Sequence, residues 1–84
     1  MNKVEITPKA AKQLRKLQSK DHRVIVAECH KLSDMPNCTN VKALVNHEYE
    51  YRLRVGNFRV FFNFDGAVRI VSIEEVRKRD ERTY

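Results

Sequence analysis

YRLRVGNFRVFF, residues 51–62, reads as two strands joined by Gly56-Asn57, a hairpin-turn dipeptide flanked by alternating apolar residues. A two-residue loop sets Val55 opposite Phe58, Leu53 opposite Val60 and Tyr51 opposite Phe62. One step further out, Tyr49 falls opposite Phe64. All eight are apolar or aromatic and share one face, which the alternation assigns to the core with helices over it. The other face sets Arg54 opposite Arg59, Arg52 opposite Phe61 and Glu50 opposite Asn63. Like charges directly opposite each other destabilise a sheet by up to about 1 kcal/mol. Two solvated arginines can splay apart at little cost. Three arginines around an exposed Phe61 can also hold a phosphate and stack a base. The grouping therefore reads as a nucleic-acid site.

Working outward, Asp65-Gly66 is a second turn dipeptide, so three strands are expected at about residues 49–55, 58–64 and 68–75. KVEIT, residues 3–7, alternates as a first strand. Thr7 then caps a helix with Pro8 at its first position. Ala11, Leu14 and Leu17 form the apolar stripe of that helix, and Lys9, Lys12, Arg15, Lys16 and Lys20 surround it. DHRVIVAECHKLS, residues 21–33, is read as a second helix capped by Asp21, because the apolar spacing of Ile25 and Cys29 continues to Leu32. Its β-branched run Val24–Val26 argues for a strand instead. DMPNCTN is a loop by composition, and VKAL is a short apolar piece before the hairpin. A strand, two helices and an antiparallel run give an α+β fold. The helices pack on one face of a small, mainly antiparallel sheet, with a short C-terminal element.

Eighty-four residues make one domain, 1–84. Such a chain buries about two-thirds of its unfolded surface, so a shallow groove is expected rather than an enclosed site. The formal charge is +6, which favours a polyanionic or acidic partner. Seven of the nine basic residues before Glu48 are lysines, and seven of the eight after it are arginines. The planar guanidinium fork matches phosphate bidentately, so the second half is the place to look for phosphate chemistry. Cys29 and Cys38 fit no CxxC spacing. No signal peptide and no run of about 18 apolar residues is present, so no membrane span is expected. A cytoplasmic location with both thiols reduced is expected instead.

The hairpin together with VRIVSIEEVRKRDERTY, residues 68–84, resembles the RelE/ParE superfamily of bacterial type II toxin–antitoxin toxins. The order of elements in that superfamily matches the one read above, so the resemblance covers essentially the whole chain. It implies one of two activities. RelE-like members cut messenger RNA in the ribosomal A site, and ParE-like members inhibit DNA gyrase without cutting RNA. The RelE-like reading is favoured here, with the gyrase inhibitor as the alternative. A non-catalytic nucleic-acid-binding module is a third reading. By resemblance, Arg52 and Arg54 match the basic positions of the first hairpin strand, Arg59 the arginine of the next, and Arg79 and Tyr84 the late pair. The RelE pattern has lysine at the first two positions, and its late arginine and tyrosine are spaced slightly differently.

The implied reaction is attack of a ribose 2′-OH on the adjacent phosphate, leaving a cyclic phosphate and a 5′-OH, with no metal or other cofactor. No His/Asp/Glu cluster in the sequence has metal-ligand spacing. Arg54 and Arg59 suit stabilisation of the crowded anionic phosphorane. Arginine is a poor acid or base near neutrality, so Arg52 is electrostatic support and Tyr84 is the expected proton-transfer group. Phe61, Lys78 and Arg82 are the expected RNA contacts. Arg77, Lys78, Arg79 and Arg82, mixed with Asp80 and Glu81, read equally well as a salt-bridged terminal helix. His47 precedes the hairpin and can reach the groove, though a loop histidine is usually just exposed. The implied partners are an acidic cognate antitoxin and the ribosome with its A-site message.

Overall fold

The computed structural model describes residues 1–79. Strand β1 (Lys3–Ile6) is followed by helices α1 (Pro8–Arg15) and α2 (Ser19–His30) and a 3₁₀ turn (Lys31–Asp34). Strands β2 (Val41–Ala43), β3 (Tyr51–Val55), β4 (Phe58–Asp65) and β5 (Ile70–Lys78) complete the sheet. Its order is β1-β5-β4-β3-β2, with β1 and β5 parallel and every other pair antiparallel. The α+β expectation holds.

Local chemistry accounts for the helices. Thr7 Oγ1 accepts from the Ala10 N–H at 3.2 Å, with Pro8 at the first helical position. Ala10 and Leu14 are the buried residues of α1, and Ala11 is only half-buried, so the stripe is rotated one residue from the expected one. Residues 21–30 are helical despite their β-branched run. Ile25, Cys29 and Leu32 are buried, as the helical spacing requires. That helix begins earlier than expected, after Gln18, and Asp21 lies within its first turn.

The helix-covered core is centred on Phe62, Ile73, Val60, Val71, Ile25 and Leu32, all essentially inaccessible. The hairpin register matches the expectation pair for pair, from Val55 with Phe58 to Tyr51 with Phe62. Gly56 takes φ +55° at the first loop position and Asn57 stays at negative φ, the pattern of a type II′ turn, which favours glycine there.

Three expectations for the sheet are corrected. VKAL contributes an edge strand, with Val41 paired to Leu53 and Ala43 to Tyr51. The last strand, expected at about 68–75, begins at Ile70 and runs on to Lys78, so VRK, residues 76–78, supplies strand where a charged tail was expected. Tyr49 does not pair with Phe64 on the core face. The ladder stops at Tyr51 because side chains replace it: Asn63 Oδ1 accepts from the Glu50 N–H at 2.8 Å, and Glu50 Oε1 accepts from the Phe64 N–H at 3.0 Å. The chain before Glu50 thereby crosses to the other face.

The edge of β5 is closed by α1. Strand β1 ends at Ile6, and beyond it Gln13 Oε1 accepts from the Val76 N–H at 2.7 Å. A β-bulge opposite Phe61 and Phe62 places both Glu74 and Glu75 between Ile73 and Val76.

Candidate nucleic-acid interface

The pairing registers of β3, β4 and β5 set out the uncovered face as rungs. Arg54 pairs with Arg59, and Arg59 pairs with Arg77, so one rung across three strands is entirely arginine. The next rung is Arg52, Phe61 and Glu75. Successive rungs on one face are about 7 Å apart along the strand. At the hairpin end, Arg52, Arg54, Arg59 and Arg79 line one depression of about 170 Å³ floored by Gly56 and Asn57. Arg79 is brought there because β5 runs on past the turn and its N–H donates to the Asn57 carbonyl at 2.6 Å.

Among the described residues these four arginines form no ion pair. Arg52 Nε is buried and finds no acceptor among the described residues. A buried donor without a partner calls for an explanation, and an anionic oxygen in the depression would supply the missing acceptor. A larger groove of about 600 Å³ lies further along the sheet, around Glu50, Asn63, Asp65 and Ser72. It carries two carboxylates and no cation, the wrong sign for phosphate.

A second, smaller pack sits on the arginine face. Tyr49 and Phe61 are buried there with ring centroids 5.7 Å apart, and His47 stacks on Phe61 at 5.1 Å and 16°. Glu75, 3 % exposed, lies at its centre. Its carboxylate accepts from Lys9 Nζ at 2.9 Å, from the Tyr49 hydroxyl at 2.9 Å and from Arg77 Nε. Arg77 also lies over the Phe61 ring, 5.9 Å from its centroid. Burial alone would raise the Glu75 carboxyl, but the bonds from Lys9, Arg77 and Tyr49 outweigh it and hold it at about 2. The bond to Glu75 in turn raises the Tyr49 phenol.

This network predicts an acid-sensitive fold. The folded value of Glu75 lies below its ordinary 4.5. Its contribution is therefore complete above about pH 5 and is lost as the pH falls through 4.5 towards 2. The Lys9 and Arg77 side chains are 59 % and 65 % exposed, so solvent weakens both pairs. The contribution is about 1–3 kcal/mol. Urea unfolding of the parent and of Glu75→Gln should show a parental advantage at pH 7 that shrinks at pH 3. An advantage independent of pH would contradict this account.

Of the residues expected in the site, Arg52, Arg54, Arg59 and Arg79 come together. Phe61 lies on the expected face but is 7 % exposed, so it offers no open ring to a base. Pleat alternation gives the face of a residue and not whether a loop covers it, and here residues 47–49 do. Lys78 pairs with Phe58, on the opposite face from the arginine rung, and does not join the cluster. Arg82 and Tyr84 lie outside the described residues. Arg77, Glu75 and Tyr49 were not expected in the site. Continuing the strand through VRK would have revealed Arg77, whereas the bulge hides the facing of Glu75. Among the described residues no three His, Cys, Asp or Glu side chains are grouped as a metal ion requires, and no helix is long and apolar enough to cross a membrane.

The family model of the ParE toxin of the type II toxin–antitoxin system parDE matches residues 4–83. The chain belongs to this family. Curated proteins give no sequence match. Among solved structures, the toxin–antitoxin complex RelBE2 from Mycobacterium tuberculosis has a chain 26 % identical to this one at a TM-score of 0.80, covering 93 % of this chain and 98 % of that one. The archaeal RelE–RelB complex from Pyrococcus horikoshii gives 21 % identity and 0.78, covering 95 % and 97 %. The isolated E. coli RelE toxin gives 15 % and 0.80, covering 99 % and 89 %. This type II toxin is thus a member of the RelE/ParE superfamily with a RelE-like fold.

Proposed function

We propose that this toxin is a ribosome-dependent endoribonuclease that cuts messenger RNA in the A site by metal-independent attack of a ribose 2′-OH. The observation that carries this reading is the all-arginine rung beside a depression lined by four guanidiniums, with no carboxylate among its described lining residues. Such a site suits a phosphodiester whose negative charge grows on the way to a phosphorane. Arg54 and Arg59 stabilise that charge, and Arg52 and Arg79 add electrostatic support. The 2′ oxygen bonds to phosphorus, its proton passes to a base, and the bond to the 5′ oxygen breaks as that oxygen takes a proton. The products are a 2′,3′-cyclic phosphate and a 5′-OH. Tyr84 is assigned to proton transfer, and Arg82 to RNA contact. The whole 84-residue chain acts as one domain, in the cytoplasm.

The name of the matching family model favours a second reading, inhibition of DNA gyrase without RNA cleavage. Preserved Arg54, Arg59 and a terminal tyrosine argue for the nuclease. Incubating messenger RNA with the toxin, with and without ribosomes, beside a gyrase supercoiling assay separates the two. Solved relatives include complexes of RelE with RelB antitoxins. By the same reading a cognate antitoxin, acidic to suit a +6 toxin, binds this chain and covers or distorts the arginine face.

A further inference from the structure

His47 lies in a loop whose neighbours Asn46 and Glu48 are exposed and in which Val45 is 84 % exposed, yet its ring is fixed by two separate contacts. It lies nearly parallel to Phe61, with centroids 5.1 Å apart and 16° between planes. Its Nδ1 accepts from the Tyr49 N–H at 3.0 Å. That bond is made to the Nδ1 lone pair. Tyr49 is itself anchored, its hydroxyl donating to Glu75 at 2.9 Å. The residue remains exposed. Among the described residues the arginine face therefore carries one positioned, solvent-facing aromatic ring, and it is His47, since Phe61 lies beneath it. Phe61 is two residues along β4 from Arg59, which places the stack about 7 Å from the arginine rung, within the span of one nucleotide.

We propose that His47 is a nucleobase-stacking subsite: its outer ring face receives an unpaired RNA base whose phosphate sits on the arginines. The proposal rests on the reading of that face as an RNA site. A flat aromatic ring held in place beforehand is the element that single-strand binders combine with cationic grooves. Base–aromatic stacking is strong enough to be read as a fold-change in affinity, and every base has a π-face. Ordering the ring in the free protein lowers the entropy lost on binding.

The test is fluorescence anisotropy of a short single-stranded RNA and of an abasic oligonucleotide of equal length at low salt. It is run on the parent, His47→Ala, His47→Phe and the Arg54→Ala, Arg59→Ala double variant. His47→Ala should weaken RNA binding about tenfold or more and leave abasic binding unchanged. His47→Phe, which keeps a flat ring, should bind RNA like the parent. Parental RNA affinity in His47→Ala overturns the subsite. Equal weakening on both oligonucleotides does so too, as does a Phe variant as weak as the Ala variant. A parent that binds RNA no more tightly than the double arginine variant overturns the RNA reading of the face itself, and the subsite with it.

Discussion

Replacing Arg54 and Arg59 together with alanine should lower single-turnover cleavage of ribosome-bound messenger RNA by at least about 10⁴-fold, while leaving the protein as stable as before or more so. One preorganised donor aimed at developing charge contributes about 10²–10³ in rate, and the two act on the same phosphorane. The stability half of the prediction comes from the sheet. Arg54 and Arg59 are direct cross-strand neighbours, both exposed, and neither forms an ion pair among the described residues. Removing them relieves a repulsion of up to about 1 kcal/mol. Opposite signs for activity and stability distinguish a functional pair from a structural one. Toxicity at the parental level in this double variant, measured by growth arrest at matched expression, would remove the phosphate clamp.

Tyr84→Phe should fold normally, still bind ribosomes and cut about 10²–10⁴-fold more slowly. Arginine keeps its proton far above neutral pH, so it neither gives nor takes one there. Glu75 is held at about 2 by three donors, so it is a poor base. Tyr49 donates its hydroxyl to Glu75, which raises the phenol and ties up its proton. Glu50 spends one carboxylate oxygen on the Phe64 N–H. Glu75, Tyr49 and Glu50 are thus committed to holding the sheet and its loop together. Removing only the hydroxyl of Tyr84 isolates the proton-transfer step. A Phe variant cutting at the parental rate would exclude Tyr84 from proton transfer.

The hairpin was legible because its register depends on two things the sequence states openly: a two-residue Gly56-Asn57 loop and strict alternation on both sides of it. Once Arg54 is set opposite Arg59, Arg52 opposite Phe61 follows from the pleat. What was illegible lies where that alternation breaks. Opposite Phe61 and Phe62 the partner strand carries an extra residue, so counting by twos does not give the face on which Glu75 lands. Tyr49 leaves the ladder because the Asn63 and Glu50 side chains substitute for backbone bonds, and no periodicity announces such an exchange. Phe61 was assigned to the correct face and wrongly taken as open, since its cover comes from a loop. Arg77 was placed in a charged tail that read equally well as a terminal helix, whereas strand pairing with Arg59 makes it the third member of the rung.

The central claim is that this chain cuts messenger RNA and does so on the ribosome. The most direct measurement is a primer-extension gel of a translated message incubated with purified toxin, in parallel with and without ribosomes stalled with an open A site. The account predicts breaks within the A-site codon, with cyclic phosphate and 5′-OH ends, that require ribosomes and disappear in Arg54→Ala, Arg59→Ala. An intact message in the presence of ribosomes, together with toxin-dependent loss of gyrase supercoiling, would contradict it.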